Sequence, residues 1–491
     1  MNHLYYGDNL EILRDHRKIK DETVDLCYID PPFNSKRNYN QIYNNVGEED
    51  RAQAQAFTDT WKWDDLANAG YAEILANAEG RFQPQLVDLI KGLHPVLKQG
   101  SLLAYLISIA LRITEIQRVL KPTGSFYLHC DPTSSHYLKL VLDAVFCSQA
   151  GMFLNEIDWC YASGGVSKRY FAKKHDVIFL YAKTKSYKFN TQYRPYSAGT
   201  MERGLTACKK EMNEAYEFHT KGAVMSDWWS DITPLLSPTS FERLGYPTQK
   251  PEALLERIIA ASSDEGDLVL DAYCGCGTTV AVAQRLKRKW IGIDITYQSI
   301  SLMLRRLEKA FGAKIVDQIK LDGIPRDMAS AGALAHKKDD RLRKEFEKWA
   351  VQTYTNNRAV IHEKKGADGG IDAVAYFLTA KDNSAKIVFQ VKSGGTGRGD
   401  VAKLRGDMGR ENAELAVLIT LEEPTRDAVA EAKKAGQYLH KMMGQSYDKI
   451  GIVTVKEIVE GGKRLEIPMS LEVVAEAKRV VEDKQIELDL E

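Results

Sequence analysis

The chain has 491 residues, 44% of them hydrophobic and 27% charged, a balance that excludes disorder and collagen-like repeats and predicts two or more domains. Its 67 Lys and Arg residues equal its 67 Asp and Glu residues, so any nucleic-acid surface has to come from local charge separation. The longest apolar run, around Leu102 to Leu111, is too short to span a bilayer, and the N-terminus has no basic region leading into an apolar stretch, so a cytoplasmic protein with no membrane partner is expected.

In chain order, Val24 to Ile29 and Gly124 to His129 read as short β-rich runs, and Ile109 to Leu120 and Tyr137 to Phe146 as amphipathic helices. That alternation predicts βα units and a mainly parallel sheet. From about 165 to 245 the periodicity is lost. Between Val166 and Lys221 twelve Lys/Arg face five Asp/Glu, interleaved with ten aromatics that include Tyr170, Phe171, Tyr187, Phe189, Tyr193 and Tyr196. Local positive charge with flat side chains suits nucleic acid; a solvated basic loop is the plainer alternative. The βα pattern resumes with a strand within Asp267 to Tyr273, a helix over Thr279 to Arg288 and a strand over Trp290 to Asp294. Residues 322–340 look like a connector. Beyond them a helix near Arg341 to Gln352, strands near Ile371 to Leu378, Lys386 to Val391 and Leu415 to Thr420, and a further helix predict a second, smaller α/β domain.

Two motifs carry chemistry in the first half. Asp30-Pro31-Pro32-Phe33 follows a strand, which delivers Asp30 to the carboxyl edge of a parallel sheet, where such folds bind ligands. The prolines keep the backbone extended and leave the Pro31 carbonyl free to accept a hydrogen bond. Two acceptors then converge on one amino group while Phe33 stacks on the ring that bears it. Methylating an exocyclic amine demands this, because the lone pair must be localised toward the donor before in-line attack. Alone, the tetrapeptide reads equally well as a Pro-Pro turn. The second motif, Asp271-Ala272-Tyr273-Cys274-Gly275-Cys276-Gly277-Thr278-Thr279, sits between strand and helix. Its glycines allow close approach of backbone to a nucleoside cofactor, and Asp294 at the end of the next strand is placed to accept from ribose hydroxyls. The loop lacks the full G-x-G-x-x-G, which disfavours a dinucleotide. Of the seven cysteines only Cys274 and Cys276 are close, so reduced thiols and no structural metal are expected.

Together these motifs resemble the DNA amino-methyltransferases acting on adenine-N6 or cytosine-N4. Tyr246-Pro247-Thr248-Gln249-Lys250-Pro251 followed by Asp271 to Thr279 is similar to the segment that opens that family's cofactor-binding half. Asp30 to Phe33 precedes the cofactor loop, the order of the β class found in type III modification subunits. Tyr6-Gly7-Asp8-Asn9, Arg118 to Ser125, His129-Cys130-Asp131 and Lys174-His175-Asp176 agree with the same likeness, which covers about residues 3–310. It implies a permuted Rossmann-like methyltransferase domain over 1–321 that uses S-adenosylmethionine, with a target-recognition region at about 165–245 inserted in it. By that likeness Asp8 reaches the cofactor adenine, Asp271, Gly275 and Gly277 line its methionine end, and Thr248, Lys250, Tyr273, Thr278 and Asp294 complete the site. Ala272 and Tyr273 depart from the Pro and Phe common in the family. Cytosine-N4 enzymes more often carry Ser where Asp30 stands, so adenine-N6 is expected, with cytosine-N4 the alternative.

In the second domain, taken as 341–491, Gly366 to Asp372 leads into a strand, and Phe389-Gln390-Val391-Lys392 closes the next. Gln390 and Lys392 are two apart and share a face. With Asp372 they suit a divalent cation, Mg²⁺, held by Asp372 and Gln390, with Lys392 stabilising developing charge and Glu347 adding a ligand. The block resembles the Mrr-like branch of the PD-(D/E)XK restriction nucleases, a restriction-endonuclease-like α/β fold. The implied protein is a site-specific adenine methyltransferase of restriction-modification acting on double-stranded DNA. A bifunctional enzyme whose main role is cleavage, or a domain that keeps only the fold, remains open, as do a homodimer and a separate restriction subunit.

Overall fold

The computed structural model describes residues 2–32, 37–41, 54–59, 61, 63–161, 168–203, 219–235, 242–244, 246, 248–312, 314–325, 327–336, 340–355, 359–361, 370–380, 383–440 and 444–467. The chain forms two compact units. One comprises residues 1–37, 58–295 and 303–321, the other residues 38–57, 296–302 and 322–491.

The first unit is built on a nine-stranded sheet. Its strands are β1 (Asn2–Tyr6), β2 (Val24–Ile29), β3 (Leu120–Cys130), β4 (Met152–Cys160), β5 (His175–Ala182), β6 (Trp228–Trp229), β7 (Leu268–Asp271), β8 (Lys289–Asp294) and β9 (Ile319–Asp322), in the order β6-β4-β5-β3-β2-β7-β8-β1-β9. β1, β8, β7, β2 and β3 pair in parallel, whereas β5 runs antiparallel to both β3 and β4. All six residues of β2 are buried, as expected of a strand covered on both faces. The helix Ser101–Val119 supplies much of that cover through Leu103, Leu106, Ile109, Ala110, Ile113 and Ile116. The chain passes from β2 to β3 on one side and from β7 to β8 on the other, so the strand order reverses between β2 and β7. Such a reversal opens a crevice at the carboxyl edge. β2, β7, β8 and β1 bring Asp30, Asp271, Asp294 and Gly7-Asp8 to that edge.

Three expectations change in detail. The helix read over Tyr137 to Phe146 is an α-helix over Ser135–Leu142 that widens into a π-turn at Asp143–Cys147. The Tyr181 hydroxyl donates to Asp143 there at 2.7 Å. The stretch of lost periodicity at 165–245 contains β5, whose last six residues are buried; a strand covered on both faces shows no alternation for a period-two search to find. The connector at 322–340 carries the helix Met328–Ala335, capped by Asp327 and Ser330.

The second unit holds a five-stranded sheet of β10 (Val360–Ile361), β11 (Ala373–Ala380), β12 (Asn383–Lys392), β13 (Leu415–Thr420) and β14 (Ile450–Thr454), adjacent in that order. β10, β11 and β12 pair antiparallel; β12, β13 and β14 pair in parallel. Val388, Leu404, Leu418 and Ala428 pack in its core. No helix among the described residues is long and apolar enough to cross a membrane.

Candidate active site

Asp30 leaves β2 at the crevice and its Oδ2 accepts from Lys250 Nζ at 2.6 Å. The pair is largely shielded, with side-chain exposures of 18% and 10%. Lys250, expected at the cofactor site, has its ammonium paired with the Asp30 carboxylate. Pro31 is buried and Pro32 half-buried. Phe33 lies outside the described residues.

The cofactor-type loop follows β7. Asp271 accepts from the Tyr273 amide at 3.0 Å. Burial pushes its carboxyl up to about 7, against hydrogen bonds from the Thr279 hydroxyl and the Tyr273 amide, and repulsion from Asp30 and Asp294 adds to the rise. Gly277 sits at φ +74°, and a Cβ there would lie 2.4 Å from Met303 Cγ, so only glycine fits. Gly275, at φ +47°, donates its amide to Asp294 Oδ2 at 2.9 Å. Asp294, expected to take ribose hydroxyls, thus also fastens the loop, and its carbonyl accepts from the Gly7 amide. Thr278 is buried and accepts from Arg306 Nη1 at 3.0 Å.

Asp8 closes the other end of the crevice. It caps the helix Asn9–Arg14 by accepting from the Leu10 amide at 2.8 Å, and it pairs with Arg112 at 3.1 Å. Asn9 donates to the Ala272 carbonyl at 2.8 Å, tying this cap to the loop after β7. Thr248 is exposed at φ +63°. The described structure therefore gathers Asp8, Asp30, Lys250, Asp271, Tyr273, Gly275, Gly277, Thr278 and Asp294 around one sheet edge.

Sequence reasoning missed a buried polar chain beside Asp30. Tyr28, two residues earlier on β2, has its hydroxyl 2.9 Å from His129 Nδ1, and His129 Nε2 lies 3.1 Å from Asp176 Oδ2. A carboxylate only accepts, so Nε2 carries the proton and Nδ1 accepts from the phenol. Tyr161 donates to Asp176 Oδ1 at 3.2 Å. Burial holds the Tyr28 hydroxyl well above its ordinary range, and the nearby Asp30, Asp271 and Asp176 carboxylates act in the same direction. Burial works against ionisation of Asp176, yet the hydrogen bonds from His129 and Tyr161 and the charge of Lys250 hold its carboxyl below the usual range. His129 and Asp176 belong to short motifs noted in the sequence; their pairing across β3 and β5 was the part no local spacing revealed.

Within the basic region, Tyr193 and His219 stack at 4.8 Å with rings 2° apart, and Lys221 Nζ sits 5.7 Å from the Tyr193 ring. They line a cleft of about 370 Å³ with Arg194, Tyr196 and Met201.

In the second unit, Asp372 accepts from the Val391 amide at 2.7 Å. Burial pushes its carboxyl up to about 6, against that bond and the charges of Lys392 and Lys344. Gln390 donates through Nε2 to the Gly370 carbonyl at 2.5 Å, while its Oε1 is buried without a hydrogen-bond partner among the described residues. Lys392 lies 3.4 Å from Asp400. Glu347 is half-buried on the helix Asp340–Tyr354. Among the described residues no group of three His, Cys, Asp or Glu side chains is arranged to hold a metal ion, and Gly366 to Gly369 lie outside them.

Residues 24–304 match the family described as DNA methylase. The chain belongs to that family. This DNA methylase carries a second match, over residues 342–446, to the family described as restriction endonuclease. It is similar to the DNA adenine methyltransferase YhdJ of Escherichia coli K12, at 30% identity over 310 residues, covering 62% of this chain and 83% of the relative. It is also 28% identical to the type II methyltransferase M2.LlaDCHI of Lactococcus lactis over 309 residues, covering 62% and 89%. The type II methyltransferase M.HpaI of Haemophilus parainfluenzae is 32% identical over 222 residues, 44% of this chain and 64% of that one.

Proposed function

We propose that the first unit, with residues 1–321 as its domain, methylates the exocyclic N6 of adenine in double-stranded DNA at a specific site, with S-adenosylmethionine as methyl donor. The observation that carries this reading is the sheet reversal that sets Asp30 beside the loop from Asp271 to Gly277 at one edge. The donor set fits this cofactor: Asp30 and Asp294 both repel Asp271 there, and the cofactor brings an ammonium and a sulfonium charge. Bound, it supplies a methyl group activated on sulfonium. Asp271 and the glycines would hold its methionine end, Asp294 its ribose and Asp8 its adenine. Asp30, with the Pro31 carbonyl, would accept from the target amine and localise its lone pair. To do so Asp30 has to exchange Lys250 for that amine, and Lys250 then remains nearby as a countercharge to the carboxylate. Residues 165–245 would choose the sequence.

The test is direct: DNA incubated with protein and labelled S-adenosylmethionine is digested to nucleosides and the labelled base identified. Label in N6-methyladenine is expected. Label in N4-methylcytosine assigns the alternative base, and no label refutes the reading.

For the second unit we infer Mg²⁺-dependent phosphodiester cleavage, with 341–491 as its domain. The buried Gln390 Oε1, which meets no donor among the described residues, beside half-buried Asp372 supports it, because a buried amide oxygen without a donor is costly unless a ligand meets it. Asp372 and Gln390 would hold the ion, which supplies charge stabilisation to the phosphate, and Lys392 would add to it. A nuclease in the same chain as a methylase fits restriction-modification, where the mark protects the site.

A further inference from the structure

Residues 168–174, Lys-Arg-Tyr-Phe-Ala-Lys-Lys, hold four cations and no carboxylate. Phe171 is 100% exposed and Tyr170 69%, and no other large apolar side chain among the described residues is as exposed as Phe171. Single exposed apolar residues are ordinary on protein surfaces. Two adjacent rings bracketed by cations are less so, and their position is specific. The Tyr161 amide donates to the Lys174 carbonyl at 3.0 Å, and Cys160 and Trp159 pair with His175 and Asp176, which anchors this segment where β4 ends and β5 begins. β5 is antiparallel to β3, so its first residues stand at the carboxyl edge of the parallel strands. Asp176 is there joined through His129 to Tyr28, two residues before Asp30. The exposed ring is thus carried at the edge that holds the acceptor carboxylate.

A base cannot reach Asp30 from inside a duplex, and extruding it leaves a gap in the stack. We propose that Phe171 is the wedge that fills this gap, with Lys168, Arg169, Lys173 and Lys174 clamping the flanking phosphates; the inference rests on the methyl-transfer reading above. An apolar ring recovers stacking that the departed base gave up, and the cations match the one partner that has a regular double row of negative charge. No groove of this protein has to receive the ring, which accounts for its full exposure.

The experiment uses the full chain and two oligonucleotide duplexes carrying the site that the wild type methylates in genomic DNA. In one the target base is paired; in the other an abasic position faces it, so extrusion costs little. For Phe171→Ala, transfer to the paired duplex is expected to fall about tenfold or more, while transfer to the abasic-opposed duplex stays within about twofold of wild type. Phe171→Trp is expected to keep both activities. Wild-type rates for Phe171→Ala on the paired duplex, or an equal loss on both duplexes, would overturn the wedge. If the wild type labels neither duplex nor genomic DNA, the methyl-transfer reading itself fails and takes the proposal with it.

Discussion

Asp271→Asn is expected to change how stability depends on pH before it changes anything else. Asp271 is 3% exposed, and burial raises its carboxyl from 3.8 to about 7 in the folded chain. Between those values the folded state holds a proton that the unfolded state has released, so stability falls as pH rises from about 4 to about 7 and is level above that. About three pKa units at roughly 1.4 kcal/mol each amount to a loss on the order of 4 kcal/mol. Asparagine cannot ionise, and its carbonyl oxygen can still accept from the Tyr273 amide. The free-energy difference between variant and wild type should therefore rise by that amount across this window, whatever fixed offset the new amide donor introduces. Because the chain has two compact units, one melting temperature is a poor reporter. Hydrogen exchange of the β7 amides in cofactor-free protein reads the correct unit. Adding S-adenosylmethionine at pH 8 should restore protection to the wild type alone, since its charge gives the carboxylate a partner. Parallel protection curves for the two proteins from pH 4 to pH 8 would refute the reasoning.

Asp30→Asn should lower methyl transfer by about 100- to 1000-fold with cofactor binding retained, as equilibrium binding and single-turnover transfer will report together. Gly277→Ala should destabilise the cofactor loop by about 1–2 kcal/mol from its left-handed backbone alone, and more from the Met303 contact; pairing it with Met303→Ala should recover part of the loss in hydrogen exchange. Exchanging residues 165–245 with a relative's segment should move the methylated sequence in modification-sensitive sequencing, and removing one phosphate-contacting cation should flatten the salt slope of binding by about 0.9. Mg²⁺-dependent nicking of unmethylated DNA should vanish in Asp372→Ala and Lys392→Ala and persist in Asp30→Ala; equal nicking by wild type and Asp372→Ala would reject the nuclease.

Asp30 and the loop from Asp271 to Gly277 were legible because each is a short run whose chemistry depends on neighbours in sequence. The second half of the helix Ser101–Val119, read as Ile109 to Leu120, and the strand Leu415–Thr420 were legible for the same reason, through periodicity or a bounded apolar run. The partners that tune the site were not. Lys250 meets Asp30 across 220 residues, and His129 meets Tyr28 across 101; only the sheet order brings them together. β5 was hidden by the basic, aromatic sequence around it. The helix Met328–Ala335 was hidden by its alanines and glycine, which read as a linker, although Asp327 and Ser330 stood at capping spacing.

The pairing of β2 with β7 has a consequence for biosynthesis. Asp25 holds the Leu268 amide, 243 residues later, at 2.9 Å. β1 finds its β8 partner only when Ile291–Asp294 has followed it in synthesis. β1 and the β7-facing edge of β2 therefore stay unpaired through most of the unit's translation, which favours slow folding. It also means that a chain truncated before about residue 294 lacks both the partner of β1 and the carboxylate that fastens the glycine loop. No shorter nascent product can carry the assembled crevice, so catalytic competence arrives late and all at once.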